Sequence, residues 1–424
     1  MAKPLAGDNI KPARNTSPDI GVHPVEMLFS VVMPTHNRLH LLRDAIETVR
    51  RQDFGQWEVV VFDNASKDGI ADHVRSLNDE RVRYARSDSF LPVTCSWNRA
   101  MELARGDYVV LLGDDDGLTP NYFRRLTDVI QRFASPDVVY NNIYQFWHPG
   151  VAPWEPSGYL IDVKHGFFFA NRTEPFLLSK EEANRAALGS IGLKINFSYN
   201  SQALVYSRKF LQKLSSDGPV YRSPFPDYYI ANVALVRSSS TAVVPEPLAV
   251  AGVSKASFGY TMYNGHEDRG AALLNTDLCS DPVYREIEDR LLPGPAYNTY
   301  LVVAMEYVAR ALPELNASVD YQRYRRIQIY AALSAKMQNG SGPSDTPWRK
   351  LRKRLSAPER VWAAFVWRVI AGNSVPPRIQ RHLVSAVNRS IKMSDSDPMV
   401  RHCGKHAFSR VTDLYDAFLT GTFS

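Results

Sequence analysis

Between Phe29 and Asp116 the chain repeats one scheme: an apolar run of strand length, a polar turn, then an amphipathic stretch. Phe29 to Met33 is closed by Pro34 and followed by the turn Thr35, His36, Asn37 and Arg38. From Leu39 to Gln52 the residues Leu39, Leu42, Ile46 and Val49 recur at helical spacing, with Arg43, Asp44, Glu47 and Arg50 on the other side. Trp57 to Phe62 is a second apolar run, ending in Asp63, and Asn64 to Gly69 is a turn before a helical stretch through Leu77. Arg81 to Tyr84 gives a shorter run, Ser96 to Arg105 a helix ending at Gly106, and Tyr108 to Leu112 a last apolar run. Runs apolar on both faces read as strands buried between two layers. Their alternation with helices predicts an α/β fold, a Rossmann-like and mostly parallel sheet flanked by helices, with right-handed crossovers.

Sheets of this kind bind ligands at the carboxyl ends of their strands. Thr35 to Arg38, Asp63 and Asp114 to Asp116 all fall at such ends, so one crevice can collect them. The last run stops in three adjacent carboxylates, Asp114, Asp115 and Asp116, followed by Gly117. Like charges so close are costly unless a positive group joins them. Hard divalent cations prefer oxygen ligands and bridge to phosphate, which makes Mg²⁺ or Mn²⁺ the natural partner. The bland alternative is a solvated turn, since Asp-Gly pairs are ordinary loop punctuation.

Downstream, a helix is expected from Pro120 to Phe133 and a strand over Val138 to Trp147, while residues 149–192 show no clear period and read as acceptor-side loops. Asp227 opens a helix behind Ser223, Pro224, Phe225 and Pro226, where it serves either as a helix-capping residue or as a base. Thr241 to Val250 reads as a strand interrupted by prolines. From about Pro282 the pattern turns helical, with Tyr300 to Leu312 and Tyr321 to Met337 as candidates. The expected division is a leader over 1–26, an α/β domain over 27–281 and a helical C-terminal region over 282–424.

The chain has 424 residues, 45% of them hydrophobic, enough for a large core. Its 50 basic and 44 acidic residues leave a net charge of +6, compatible with anionic substrates or an anionic lipid surface. Neither a zinc-finger spacing nor an RNA-binding aromatic signature is present, so nucleic acid is not an expected partner. Cys95, Cys279 and Cys403 are far apart and odd in number, which points to a reducing, cytoplasmic setting. The basic cluster Arg349, Lys350, Arg352, Lys353 and Arg354 precedes an aromatic stretch with Trp362, Phe365 and Trp367. Residues 348–370 read either as a peripheral membrane contact or as helices packing their aromatics onto the protein.

Three segments, Ser30 to Arg38, Glu58 to Gly69 and Gly106 to Pro120, together resemble the inverting glycosyltransferases of family 2, which have the nucleotide-sugar-binding GT-A fold. The resemblance covers about the first quarter of the chain. It implies that Pro34, Thr35, His36, Asn37 and Arg38 contact the nucleoside of the donor and that Asp63 bonds its base. Asp115 would hold the metal together with Asp116. Gly113 stands where the family carries its first acid, so Asp114 takes over the ribose or metal contact or that contact is absent. Asn98 either reaches the ribose or caps its helix, and His266 either approaches the metal from a closing loop or is solvated. Asp227 matches the position of the family's base.

The chemistry asks for the same parts independently. Breaking a sugar–diphosphate bond leaves negative charge that a bound cation stabilises, and the attacking hydroxyl needs a separate carboxylate as base. The expected function is metal-dependent, inverting transfer of a sugar from a nucleotide diphosphate sugar, UDP-linked by expectation, to a saccharide or lipid-linked hydroxyl in polysaccharide or glycoconjugate assembly. Nucleotidyl transfer, or a non-catalytic Ca²⁺- or nucleotide-binding module, are the alternatives.

Overall fold

A computed structural model describes residues 27–151, 157–263, 267–339, 346–371, 377–392, 394–395, 399–403 and 408–422. The expected leader over 1–26 and His266 lie outside the described residues. Among the described residues eleven strands form one sheet: β1 (Phe29–Thr35), β2 (Trp57–Asp63), β3 (Val82–Arg86), β4 (Tyr108–Leu111), β5 (Gly117–Leu118), β6 (Val138–Trp147), β7 (Tyr159–Lys164), β8 (Phe176–Leu177), β9 (Leu204–Ser207), β10 (Thr241–Val253) and β11 (Met399–His402). The main path runs β11-β7-β6-β9-β4-β1-β2-β3, and β10 pairs with β5, β6 and β8. The first four strands pair parallel with one another, as the strand–helix alternation predicts, and β10 runs parallel to β6. Antiparallel β9 joins β4 to β6 and makes the sheet mixed.

Local chemistry explains the elements near the crevice. Val31, Val32, Val59, Val60 and Val61 are fully buried, as β-branched residues suit strands covered on both faces. The helix Leu39–Arg50 covers them with Leu42, Ala45, Ile46 and Val49. Thr35 is opposite Asp63, and Val32 is opposite Leu111, so the tips of β1, β2 and β4 share one edge of the sheet. The loop after β4 is fixed from both sides, because β4 lies on β1 while β5 pairs with Ala249 and Val250 of β10. Register shifts around Pro247 bend β10, where a proline offers no N–H to the ladder.

The stretch 149–192, expected as loops, contains β7, β8 and the helix Lys180–Ile191. That helix buries mainly alanines, Ala183, Ala186 and Ala187, so its apolar face contrasts little with the rest. Its start was nonetheless written in a capping box, Ser179 with Glu182.

One core extends from Phe29 to Tyr324 and includes Leu301, Val302 and Val303 of the helix Ala296–Ala311. A second gathers Leu333, Leu351, Leu355 and Val366. Near the C-terminus β11 pairs with β7, and the helix Val411–Thr420 returns to the first helix, where Tyr415 donates to the Arg51 carbonyl at 2.8 Å. Phe408, Val411 and Leu414 pack there on Phe146, Leu160 and Val250. Among the described residues no helix is long and apolar enough to cross a membrane.

Leu414→Ala should cost about 2–5 kcal/mol, seen as a lower urea midpoint. Leu419→Ala, at a side chain 59% exposed, should leave the midpoint in place.

Candidate active site

The turns after β1 and β2 are knitted together by short polar contacts. The Asn37 amide donates to Ser66 Oγ at 2.9 Å, the Lys67 amide to Asn37 Oδ1 at 2.8 Å, and the Leu39 amide to Asp68 Oδ2 at 2.7 Å. His36 stacks on Phe90 at 4.1 Å, with Nδ1 2.6 Å from the Asn64 carbonyl and Nε2 2.8 Å from Asn37 Nδ2. Those partners assign the tautomer with hydrogen on Nδ1, since a carbonyl only accepts and the Asn37 amide nitrogen only donates. Asp63 accepts from the Ser66 amide at 2.7 Å, the Tyr84 hydroxyl at 2.7 Å and Arg86 at 2.8 Å. Burial pushes its carboxyl up, but Ser66, Tyr84 and Arg86 outweigh that and hold it below the usual carboxylate range.

The triplet lines a cavity of about 370 Å³. Thr35 donates to Asp114 Oδ2 at 2.7 Å, and the Arg38 guanidinium lies 3.0 Å from Asp114 Oδ1 and 3.9 Å from Asp115 Oδ2. Ser254 donates to Asp115 Oδ2 at 2.9 Å and Ser257 bonds the same oxygen. Asp115 Oδ1 accepts no hydrogen bond from the described residues. Asp116 turns inward, accepting the amides of Gly113 at 2.7 Å and Gly252 at 2.8 Å. Burial lifts Asp114 to about 6 against the pull of Arg38, and burial with Asp115 nearby lifts Asp116 well above its ordinary value. Burial would lower Arg38, but Asp114, Asp115 and Asp116 together raise it.

Gly113 now has a physical reason. A Cβ there would lie 2.7 Å from Asp116 Oδ2, so no acid fits at that position while Asp116 holds the turn. Gly252 is tighter still, since its Cβ would meet the Asp115 carbonyl oxygen at 1.8 Å.

Asp227 lines the same cavity as Asp114, Asp115 and Asp116. It lies in the first turn of the helix Pro226–Arg237 behind Pro226 at the first position, and its Oδ1 accepts the Tyr228 amide at 3.0 Å. The N-cap is Phe225, so Asp227 does not occupy the capping position. Burial pushes its carboxyl from 3.8 up to about 7. Trp97, Trp147, Phe225, Tyr228, Phe258 and Tyr297 complete the walls, with the Tyr228 and Tyr297 hydroxyls 2.8 Å apart.

Pro34, Arg38, Asp114, Asp115, Asp116 and Asp227 therefore share one crevice, whereas Thr35, His36, Asn37, Asp63 and Asn98 are not among its lining residues. Asn98 spends its side chain on backbone, bonding the Thr94 and Tyr221 carbonyls and the Tyr221 amide at 2.8–3.0 Å. Sequence reasoning missed Ser254, Ser257, Gly252 and the aromatic walls. The signal for the serines was the recurring one, a polar turn directly after an apolar run.

Among the described residues no three His, Cys, Asp or Glu side chains converge into a ready-made metal cage. The donor set nevertheless suits a hard cation. Magnesium is commonly held by one or two carboxylates plus substrate phosphates, and Asp115 presents a carboxylate oxygen with no hydrogen bond from the described residues.

Residues 30–187 match the model of Glycosyl transferase family 2. This segment belongs to that family. WcaA of Escherichia coli (strain K12), assigned to colanic acid biosynthesis as a glycosyl transferase, is 34% identical over 119 residues, 28% of this chain and 43% of WcaA. The GalNAc(5)-diNAcBac-PP-undecaprenol beta-1,3-glucosyltransferase of Campylobacter jejuni is 35% identical over 92 residues, 21% of this chain and 30% of that protein. The chain thus spans less than half the length of either relative. Among solved structures, S. aureus TarS 1-349 in complex with UDP-GlcNAc aligns at a TM-score of 0.42 and 14% identity, covering 81% of this chain and 90% of that one, too distant to bear on function. The family 2 segment holds β1, from its second residue, to β8 and every predicted site residue except Asp227 and His266.

The raised Asp227 carboxyl has a measurable cost. In the unfolded chain it ionises near 3.8 and in the fold only near 7, so its share of stability is lost as pH climbs through that window and the loss levels off above it. Asp227→Asn carries no such charge. It should melt above the wild type at pH ~7.5 by a wider margin than at pH ~4.5, as scanning calorimetry would show.

Proposed function

We propose that this chain transfers a sugar from a nucleoside diphosphate sugar to a hydroxyl acceptor, with inversion at the anomeric carbon. The observation that carries the reading is that Asp227 and the acidic triplet line one cavity. Asp115, with Asp114 beside it, would hold a Mg²⁺ or Mn²⁺ ion. When bound, that ion supplies positive charge to the leaving diphosphate. Asp116 serves the turn through its two amide contacts rather than reaching the ion. Arg38 offers a second cation to phosphate oxygens, and a guanidinium suits them well.

Asp227 takes the proton of the acceptor hydroxyl. Its carboxyl, lifted to about 7, is basic enough to accept a proton and still half ionised near neutral pH. The aromatic walls keep water from competing as acceptor and give sugar rings flat apolar surfaces. Inversion follows if the acceptor approaches from the Asp227 side, opposite the diphosphate.

The acceptor class comes from the relatives. The Campylobacter jejuni relative is named for a PP-undecaprenol substrate and WcaA for colanic acid biosynthesis, which supports a lipid-linked saccharide acceptor and a place in surface polysaccharide assembly. With Cys95, Cys279 and Cys403 all free and residues 348–370 strongly basic, we place the chain in the cytoplasm with peripheral contact to the membrane.

A turnover assay with nucleotide sugars and added Mg²⁺ or Mn²⁺ tests this. Asp115→Ala should abolish transfer and its metal dependence, and Asp227→Asn should lower kcat by about 10²–10⁴ while donor affinity stays. The wild-type rate should climb with pH through about 7, as Asp227 loses its proton. Full activity in either variant would sink the assignment.

A further inference from the structure

Away from the active-site crevice, a second cavity of about 260 Å³ opens among the helices Tyr321–Asn339, Thr346–Lys353 and Ala357–Ala371. Leu333, Leu355, Ala364, Trp348 and Trp367 give it apolar walls. Lys336, Arg352 and Arg360 are its charged lining residues, and among the described residues no Asp or Glu lines it. Lys336 Nζ stands 5.4 Å from the Trp367 ring centre and 6.0 Å from that of Trp348, a cation held over two aromatic faces. Neither Arg352 nor Arg360 makes an ion pair with a carboxylate among the described residues. The surface around the opening is of the same mixed kind. Met337, Val361 and Phe365 are 48%, 71% and 37% exposed on two of these helices, and Arg349, Lys350 and Lys353 are exposed on the third.

Apolar walls with cations and without acids select a molecule that is greasy along its length and negative at one end. A nucleic acid would satisfy the cations and leave the walls unmatched. A second copy of this surface would set cation against cation. We propose that this cavity is the seat of an anionic phospholipid of the membrane leaflet, its phosphate among Lys336, Arg352 and Arg360 and its acyl chain against Trp348 and Trp367. The inference rests on the peripheral membrane contact proposed above and gives it a specific pocket. Bulk attraction of the basic cluster to a charged surface needs no cavity.

The full chain, without donor or acceptor, is mixed with phosphatidylcholine vesicles and with phosphatidylcholine–phosphatidylglycerol vesicles, and binding is read by co-sedimentation. Binding to the mixed vesicles alone is expected. Lys336→Gln/Arg352→Gln/Arg360→Gln should weaken it about a hundredfold, at roughly fivefold per cation. Ala364→Trp, which fills the cavity at an exposed position and leaves every charge in place, should weaken it about tenfold. Phosphatidylglycerol brominated on its acyl chains should quench tryptophan fluorescence in the wild type, and much less in Trp348→Phe/Trp367→Phe. No binding to mixed vesicles, equal binding to both kinds, or an Ala364→Trp variant that binds and is quenched like the wild type would each overturn the proposal. The last result would leave surface charge alone as the cause. Sugar transfer to a soluble acceptor should be unchanged in all these variants. Vesicle binding without any transfer would fail the catalytic reading and spare this one, and transfer without vesicle binding would do the reverse.

Discussion

Three carboxylates at the end of a buried strand can coexist only if their charge is answered, and in this fold Arg38 begins to answer it. Its guanidinium reaches Asp114 at 3.0 Å and Asp115 at 3.9 Å from the neighbouring strand tip. The remaining charge is divided by role. Asp116 is absorbed by two backbone amides, Asp114 by Thr35 and Arg38, and Asp115 is oriented by two serines. The other oxygen of Asp115 accepts no hydrogen bond from the described residues, and Asp115 lines the crevice where the proposed diphosphate and its cation would gather.

The sheet makes that division possible. Parallel β1, β2 and β4 bring their carboxyl ends to one edge, and β10 closes the far side through Gly252, where any side chain would collide with the Asp115 backbone. The substitution of glycine for acid at 113 is part of the same packing, because the space a side chain would need is held by Asp116. A missing acid at one position is thus coupled to an inward-turned acid three residues later. Asp227 faces the crevice from a helix outside the family 2 segment, with an environment that makes it a weaker acid and a better base.

Much of this was legible in the sequence. The apolar runs and their spacing marked β1, β2 and β4 nearly to the residue, since valine-rich segments without polar interruption have few alternatives to a covered strand. The turn residues at strand ends were equally clear, yet their division of labour was not. Asp63, His36 and Asn37 looked like ligand contacts because they are polar and stand at the right edge, and the structure gives them hydrogen bonds to neighbouring turns and to β3, while Asn98, within its helix, bonds Thr94 and Tyr221. Residue type reveals that a group can bond and not which neighbour reaches it first. The helix Lys180–Ile191 escaped because alanine buries well but contrasts weakly with polar neighbours. Ser254 and Ser257 lie about 140 residues from the carboxylate they orient, a separation only the sheet topology bridges.

The most direct test is diffraction at the manganese edge from crystals grown with Mn²⁺ and UDP. The account predicts an anomalous peak at coordinating distance from Asp115, with the diphosphate beside Arg38 and Asp227 facing the other side of the same cavity. A nucleotide bound elsewhere, or manganese bound away from Asp115, would contradict it.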